Sequence, residues 1–496
     1  MNITQKTALI FMLLLIFESC SNNRPLTLPN NYLVVAHKNI DTDSSWSKVT
    51  ATLKEKHNAP IVYYENSPRE IVPNIKELNP RYVVFVDKPE NIGRDYIMDL
   101  HRMSRTIDDD IYADYLWGVI TGYDADAALK MVNNSTEPLT PKKGVATIME
   151  MNSGKWFDEF AFVDDHTKGL WGEKKIFKDT TSKLMIAPSE VLKKFYDIYS
   201  EYDPDLVVTA AHATERNLEM PFSLGNIKAK DGKLYADFKD DPQFLKESNK
   251  RRVYFAVGNC LIGNVNNTNQ SMAIAWMNSA NAATMIGYVV TTWHGRNGWG
   301  GLKYWLTNPG RYTLAEAIYL NQQDFLYQQS QWSPNFLSIE YPFTDEKISF
   351  GNVLQNARNL LKEKAGIEEP TIDQIGFLHD RDVLAYYGDP KWEVRMQEVP
   401  KETDFKVDCK ITGNKCEVTI TTDADFSLER MVGDKFKEEH VLDIPFSYFF
   451  PERLVNPSLA DGQTWDAIID ENFLLIYNPN FEPNSSYVIH INMDIN

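Results

Sequence analysis

The chain has 496 residues, 43% of them hydrophobic and 12% aromatic, which is enough for two or three packed domains and too apolar for disorder beyond roughly the first thirty positions. Its formal charge of −18 at pH 7 argues against a nucleic-acid partner, which calls for a basic face. An acidic surface of this kind serves solubility and weakly favours cationic substrates.

At the amino terminus, Lys6 precedes the apolar run Ala8–Phe17 ("ALIFMLLLIF"), followed by Glu18, Ser19 and Cys20. Such a run is too short to cross a bilayer and suits the core of an export signal. A cysteine just after that core resembles the lipidation site of bacterial lipoproteins. The resemblance implies a signal peptide over 1–19, an acylated Cys20, and an anchor and linker over 20–30. The protein is then exported and held at the bacterial cell envelope, expected at the outer membrane, with the lipid as its only membrane attachment.

From residue 31 to about 398 the chain alternates short apolar runs with helical patterns. The runs "YLVVAH" (Tyr32–His37), "IVYY" (Ile61–Tyr64), "YVVFVD" (Tyr82–Asp87) and "YLWGVI" (Tyr115–Ile120) read as buried strands. Helices are expected from near Ser44 and over Asp124–Asn133. After the Pro-bearing break Ser135–Gly144 a second series begins, with "VATIME", "KLMIA" (Lys183–Ala187), "LVVTAA" (Leu206–Ala211), "VYFAV" (Val253–Val257) and "TMIGYVVTTW" (Thr284–Trp293). Near-continuous apolar strands alternating with helices predict an α/β fold with largely parallel sheets, in two adjacent units over 31–140 and 141–398. From 399 to 496 the pattern changes to short alternating strands ("FKVDCKI", "CEVTITT", "FLLIYN", "YVIHINM"), which predicts an all-β sandwich of immunoglobulin type.

Parallel sheets bind ligands at the carboxyl ends of their strands. "LVVTAA" runs into His212, and "VYFAV" runs into Cys260 in "GNCLIG". A histidine about fifty residues upstream of a nucleophilic cysteine is the order found in caspases. The chemistry needs this pair, because a nearby imidazolium favours the thiolate nucleophile and then protonates the leaving amine. The bland alternatives are a loop histidine and an inert buried thiol. Cys409 and Cys416 bracket the turn-forming "KITGNK" and are placed for a cross-strand disulfide, which leaves Cys260 unpaired. His294, in the Gly-rich loop "TWHGRNGWGG", is a rival histidine better suited to lining a pocket. The histidines do not pair with other ligand types at zinc spacing, so no cofactor is expected and structural Ca²⁺ is the one metal considered.

From Tyr32 to Trp392 the chain resembles the gingipain family of cysteine endopeptidases, which share a caspase-like fold. The resemblance rests on the opening strand, helix and strand, on "DIYADYLWGVITG" (Asp110–Gly122), on "TAAHATER", on "VGNC" and on "YYGDP". It implies protein or peptide substrates, Cys260 as nucleophile and His212 as general base and acid. It also implies the N–H groups of Ala213 and Cys260 as oxyanion donors, and Glu215 as an acid orienting the histidine loop. Asp110 would stand at the base of a pocket for Arg or Lys, covered by Trp293; the other reading of Asp108-Asp109-Asp110 is a solvated loop or Ca²⁺ site. Ala213 replaces the family's glycine, so that loop is expected to lose access to positive φ. A catalytically silent envelope lipoprotein that binds peptides, and a thiol-dependent acyltransferase, are the competing readings.

Overall fold

The computed structural model describes residues 31–175, 182–239, 241–265, 269–341, 350–399, 404–432 and 445–495. The export signal and Cys20 lie outside the described residues. The first series of apolar runs forms β1 (Tyr32–His37), β2 (Ile61–Tyr64), β3 (Tyr82–Val86) and β4 (Leu116–Ile120). The second forms β5 (Lys143–Ala146), β6 (Glu159–Val163), β7 (Leu170–Lys174), β8 (Ser182–Met185) and β9 (Leu206–Thr209). A hairpin-rich insert, β10 (Ala213–Thr214), β11 (Asn217–Glu219), β12 (Asn226–Lys230), β13 (Lys233–Ala236) and β14 (Gln243–Phe244), precedes β15 (Arg252–Ala256), β16 (Ala282–Tyr288) and β17 (Leu384–Gly388).

The two series share one twelve-stranded sheet, ordered β2-β1-β3-β4-β17-β16-β15-β9-β5-β6-β7-β8. β17, late in sequence, runs parallel to β4 and antiparallel to β16. Two parallel blocks therefore run in opposite directions and meet at that seam. The reversal brings the loop before β4 to the same edge as the carboxyl ends of β9, β15 and β16. Gly118 in β4 is required at the seam, because a Cβ there would lie 2.2 Å from the Gly388 carbonyl oxygen. β1, β4, β9, β15, β16 and β17 are buried almost throughout, as expected for strands covered on both faces. β8, read from "KLMIA" as another buried strand, is instead a fully exposed edge strand.

Helix starts follow local chemistry. The Asp124 side chain accepts the Ala127 N–H at the start of the helix Ala125–Asn134. Thr313 and Glu316 form a reciprocal cap for the helix Leu314–Trp332. Just past β17, the carboxylate of Asp389 is fully buried and accepts from Tyr32 Oη (2.9 Å) and Lys56 Nζ (2.8 Å), with His57 Nε2 at 2.7 Å. The "GDP" turn thus clamps the first strand and the helix Trp46–His57 to the last strand of the sheet.

The remaining strands, β18 (Phe405–Thr412), β19 (Lys415–Thr422), β20 (Phe446–Phe449), β21 (Ser458–Leu459), β22 (Ala467–Ile469), β23 (Phe473–Ile476) and β24 (Ser486–Asn492), form two antiparallel sheets. Among the described residues these are ordered β18-β19-β24-β21 and β20-β23-β22 and share a core that includes Val418, Phe446, Leu474 and Ile489. The expected Cys409–Cys416 disulfide is absent. Cys409 faces Val418 and Cys416 faces Ile411, so the two meet diagonally as free thiols with Sγ atoms 3.5 Å apart. The β domain docks on the α/β part through Asn472 Nδ2 to Asp114 O (3.1 Å), Arg453 to Asn79 O (2.9 Å) and Tyr477 Oη to Asp324 (2.9 Å).

Burial opposes ionisation of Asp389, but the hydrogen bond with His57 and the Lys56 ammonium outweigh it and hold the carboxyl well below its usual range. A depressed carboxyl contributes stability above its unfolded pKa of about 3.9 and loses it as pH falls through the folded value. Asp389→Asn is expected to cost about 3 kcal/mol at pH 7 by urea unfolding, a gap that narrows as pH falls below about 4. Equal unfolding midpoints at pH 7 would contradict the clamp.

Candidate active site

β9 and β15 are adjacent parallel strands, with Val253 opposite Leu206 and Ala256 opposite Thr209. Their carboxyl ends deliver His212 and Cys260 to one groove of about 540 Å³, which Asp165, Glu219, Phe222, Trp293, His294 and Trp299 also line. Asn259 ties the two loops together. It is fully buried, accepts from Thr209 Oγ1 (2.7 Å) and donates through Nδ2 to Ala211 O (2.8 Å). Just past the cysteine, Leu261 adopts a left-handed φ of 57°, uncommon for a branched residue, and its N–H donates to Val290 O at 2.9 Å. The chain therefore turns sharply at Cys260 and leaves the thiol half-buried at the strand end. The helix Arg296–Thr307 packs close behind, where a Cβ on Gly298 would lie 2.1 Å from Val257 O.

The Cys260 thiol donates to Thr292 O at 3.1 Å. Burial pushes this thiol up from its ordinary value, against a smaller downward pull from the Thr292 hydrogen bond. The unliganded site thus holds a neutral thiol turned to a carbonyl, with an exposed His212 across the groove. Thr292 is itself fixed, because its hydroxyl donates to the buried Asp380 (3.3 Å), which also accepts from Tyr288 Oη (3.1 Å) and Asn297 N (2.5 Å). His294 is buried, with Nε2 3.2 Å from Asp373 Oδ1, and its ring packs on Gly376. It lines the groove with its imidazole engaged from behind.

Ala213 is the first residue of β10, an edge strand. Its φ is not left-handed, so the glycine of the resemblance is not needed for backbone conformation at this position. Glu219 N–H donates to His212 O, which makes Ala213 and Leu218 a non-hydrogen-bonded pair and points the Ala213 N–H away from β11. Glu215 occupies the tight β10–β11 turn outside the groove, and its carbonyl accepts from Met272 N at 2.7 Å. The segment between His212 and Cys260 forms the five-stranded antiparallel sheet β10–β14.

Trp293 lines the groove; Asp110 does not. Asp110 is exposed in the loop before β4, where Oδ1 accepts from Tyr112 N at 2.7 Å and its own N–H donates to Asp108 (2.9 Å). Tyr112 in turn packs edge-on against Phe473 of the β domain. That loop reaches the correct edge of the sheet but turns toward the β domain. Among the described residues no group of three or more His, Cys, Asp or Glu is arranged to hold a metal ion. The carboxylates that the groove does contain are Glu219 and Asp165; Asp165 stands just beyond β6, with Oδ1 accepting from Met149 N at 2.8 Å. Burial raises its pKa to about 6. The sequence signal for it was available, an Asp-Asp pair ending the apolar run "EFAFV".

Alkylation of Cys260 by iodoacetamide in the unliganded protein, followed by peptide mass spectrometry, is expected to rise with pH through a midpoint above the reference thiol value of about 8.5. A midpoint near 7 would mean that the resting thiol is already paired with His212.

The chain matches no family model and no curated protein. Among solved structures it is similar to the Arg-specific cysteine proteinase gingipain R, with a TM-score of 0.39 and 12% identity over 94% of this chain and 91% of that one. It is similar also to a complex of the pro- and mature domains of RgpB from Porphyromonas gingivalis (TM-score 0.37, 11% identity, 93% of each chain). A third, named only as a protease, has a TM-score of 0.37 at 10% identity over 95% of this chain and 97% of that one. Among the described residues no helix is long and apolar enough to cross a membrane.

Proposed function

We propose that the chain is a cysteine endopeptidase, carried by an exported lipoprotein and acting on protein or peptide substrates. The observation that carries this reading is the delivery of His212 and Cys260, from adjacent strands, to one groove. Substrate filling the groove excludes water and draws the thiol from Thr292 O toward His212, which takes its proton. The thiolate attacks the scissile carbonyl carbon, and the oxyanion is met by the N–H groups of Ala213 and Cys260. Collapse breaks the C–N bond, the His212 imidazolium protonates the leaving amine, and a thioester remains on Cys260. Water activated by His212 then releases the acid and the free thiol.

Asp165, rather than Asp110, supplies the groove carboxylate that selects a basic residue before the cut, with Glu219 beside it and Trp293 and Phe222 as apolar walls. Because the Asp165 carboxyl ionises near pH 6, preference for Arg or Lys is expected to grow as pH rises through that value. The second reading, a silent peptide-binding groove, draws on the neutral, carbonyl-bound resting thiol.

Fluorogenic peptides varied at the residue before the cut separate the two. Cleavage is expected after Arg or Lys, abolished in Cys260→Ala. Asp165→Asn should lower kcat/KM for basic substrates about tenfold or more, and Asp110→Asn should leave it within about threefold. A tenfold loss in Asp110→Asn with none in Asp165→Asn would return the pocket to Asp110. Tight peptide binding without cleavage would favour the silent groove.

A further inference from the structure

A second cavity, of about 610 Å³, lies where the β domain meets the α/β part. Four cations, Arg81, Arg311, Lys391 and Arg395, and three carboxylates, Glu316, Glu393 and Glu452, line it. Arg395 is neutralised within the protein by Glu316 (3.2 Å) and Glu393 (2.9 Å). Arg81 and Arg311 are not. Arg81 is only 4% exposed, donates to the backbone carbonyls of Pro451 (3.1 Å) and Phe450, and lies 4.2 Å from the centre of the Phe449 ring. Its Nε, also buried, has no hydrogen-bond partner among the described residues. Arg311 donates to Phe405 O (2.5 Å) and lies 3.5 Å over the Phe405 ring. Among the described residues neither guanidinium is in an ion pair with a carboxylate.

Buried charges in folded proteins are ordinarily paired, and one left with carbonyls and ring faces carries a desolvation cost with no counter-ion to offset it. Arg81 and the half-buried Arg311 line one cavity from different elements and together form a preorganised oxyanion receptor. We propose that this interdomain cavity binds a small oxyanion of carboxylate or phosphate type, held between Arg81 and Arg311. The β domain contributes part of the wall, through Tyr448, Phe449 and the carbonyls that orient Arg81. The ligand therefore binds only the docked arrangement and stabilises it by mass action. This inference does not depend on the peptidase reading.

The test is to titrate the full chain with inorganic phosphate, pyrophosphate and citrate, against KCl at matched ionic strength, by thermal unfolding and calorimetry. At least one oxyanion should give a saturable, one-to-one binding heat and a rise in Tm that KCl does not reproduce. Arg311→Gln and Arg81→Gln should each weaken that binding tenfold or more, and phosphate against citrate identifies which chemistry the site takes. If Arg81→Gln fails to fold, Arg311→Gln decides. No saturable response to any of the three, or unchanged affinity in a folded Arg311→Gln protein, would overturn the proposal.

Discussion

The antiparallel pairing of β16 with β17 is the constraint on which the rest depends. It reverses strand direction in the middle of one sheet and joins two parallel blocks without a second core. The segment leading into β17 carries Asp380, which fixes the Tyr288–Asn297 loop through three hydrogen bonds. The segment leaving it carries Asp389, which clamps β1 and the helix Trp46–His57. The loop that Asp380 holds supplies the Thr292 carbonyl, Trp293 and His294 to the groove. The Thr292 carbonyl beside Cys260 is therefore held by Asp380, 120 positions beyond the cysteine, brought back by the segment that leads into one late strand.

Much of this was legible in the sequence, for a physical reason. Strands buried on both faces read as unbroken apolar runs, and the residue that ends such a run stands at the ligand-facing edge of a parallel sheet. His212 and Cys260 were found by that rule. Asn259 was quoted beside the cysteine, but its work is to satisfy Thr209 and Ala211, and long-range hydrogen bonds leave no mark on a local pattern. The insert β10–β14 was missed because strands of two to five residues fall below the length at which alternation is measurable. Asp110 failed differently. Its motif lies at the right edge of the sheet, and only tertiary packing decides that its loop turns toward Tyr112 and the β domain instead of the groove.

The site is built at rest as a neutral thiol under cover, not as a standing ion pair. Burial raises the cost of the thiolate, and the Thr292 carbonyl gives the proton a place to rest. In the proposed peptidase, the exposed imidazole in the same groove supplies the charge needed for attack once a substrate has replaced water. Such an arrangement protects the cysteine, since oxidation follows thiolate character.

The most direct test of the central claim, that His212 and Cys260 act as one unit, is the rate at which a peptidyl chloromethyl ketone ending in Arg alkylates Cys260, followed by intact mass. The account predicts a fall of tenfold or more in His212→Ala, with His294→Ala retaining most of the wild-type rate. Unchanged alkylation in His212→Ala, or a collapse confined to His294→Ala in a folded protein, would contradict it.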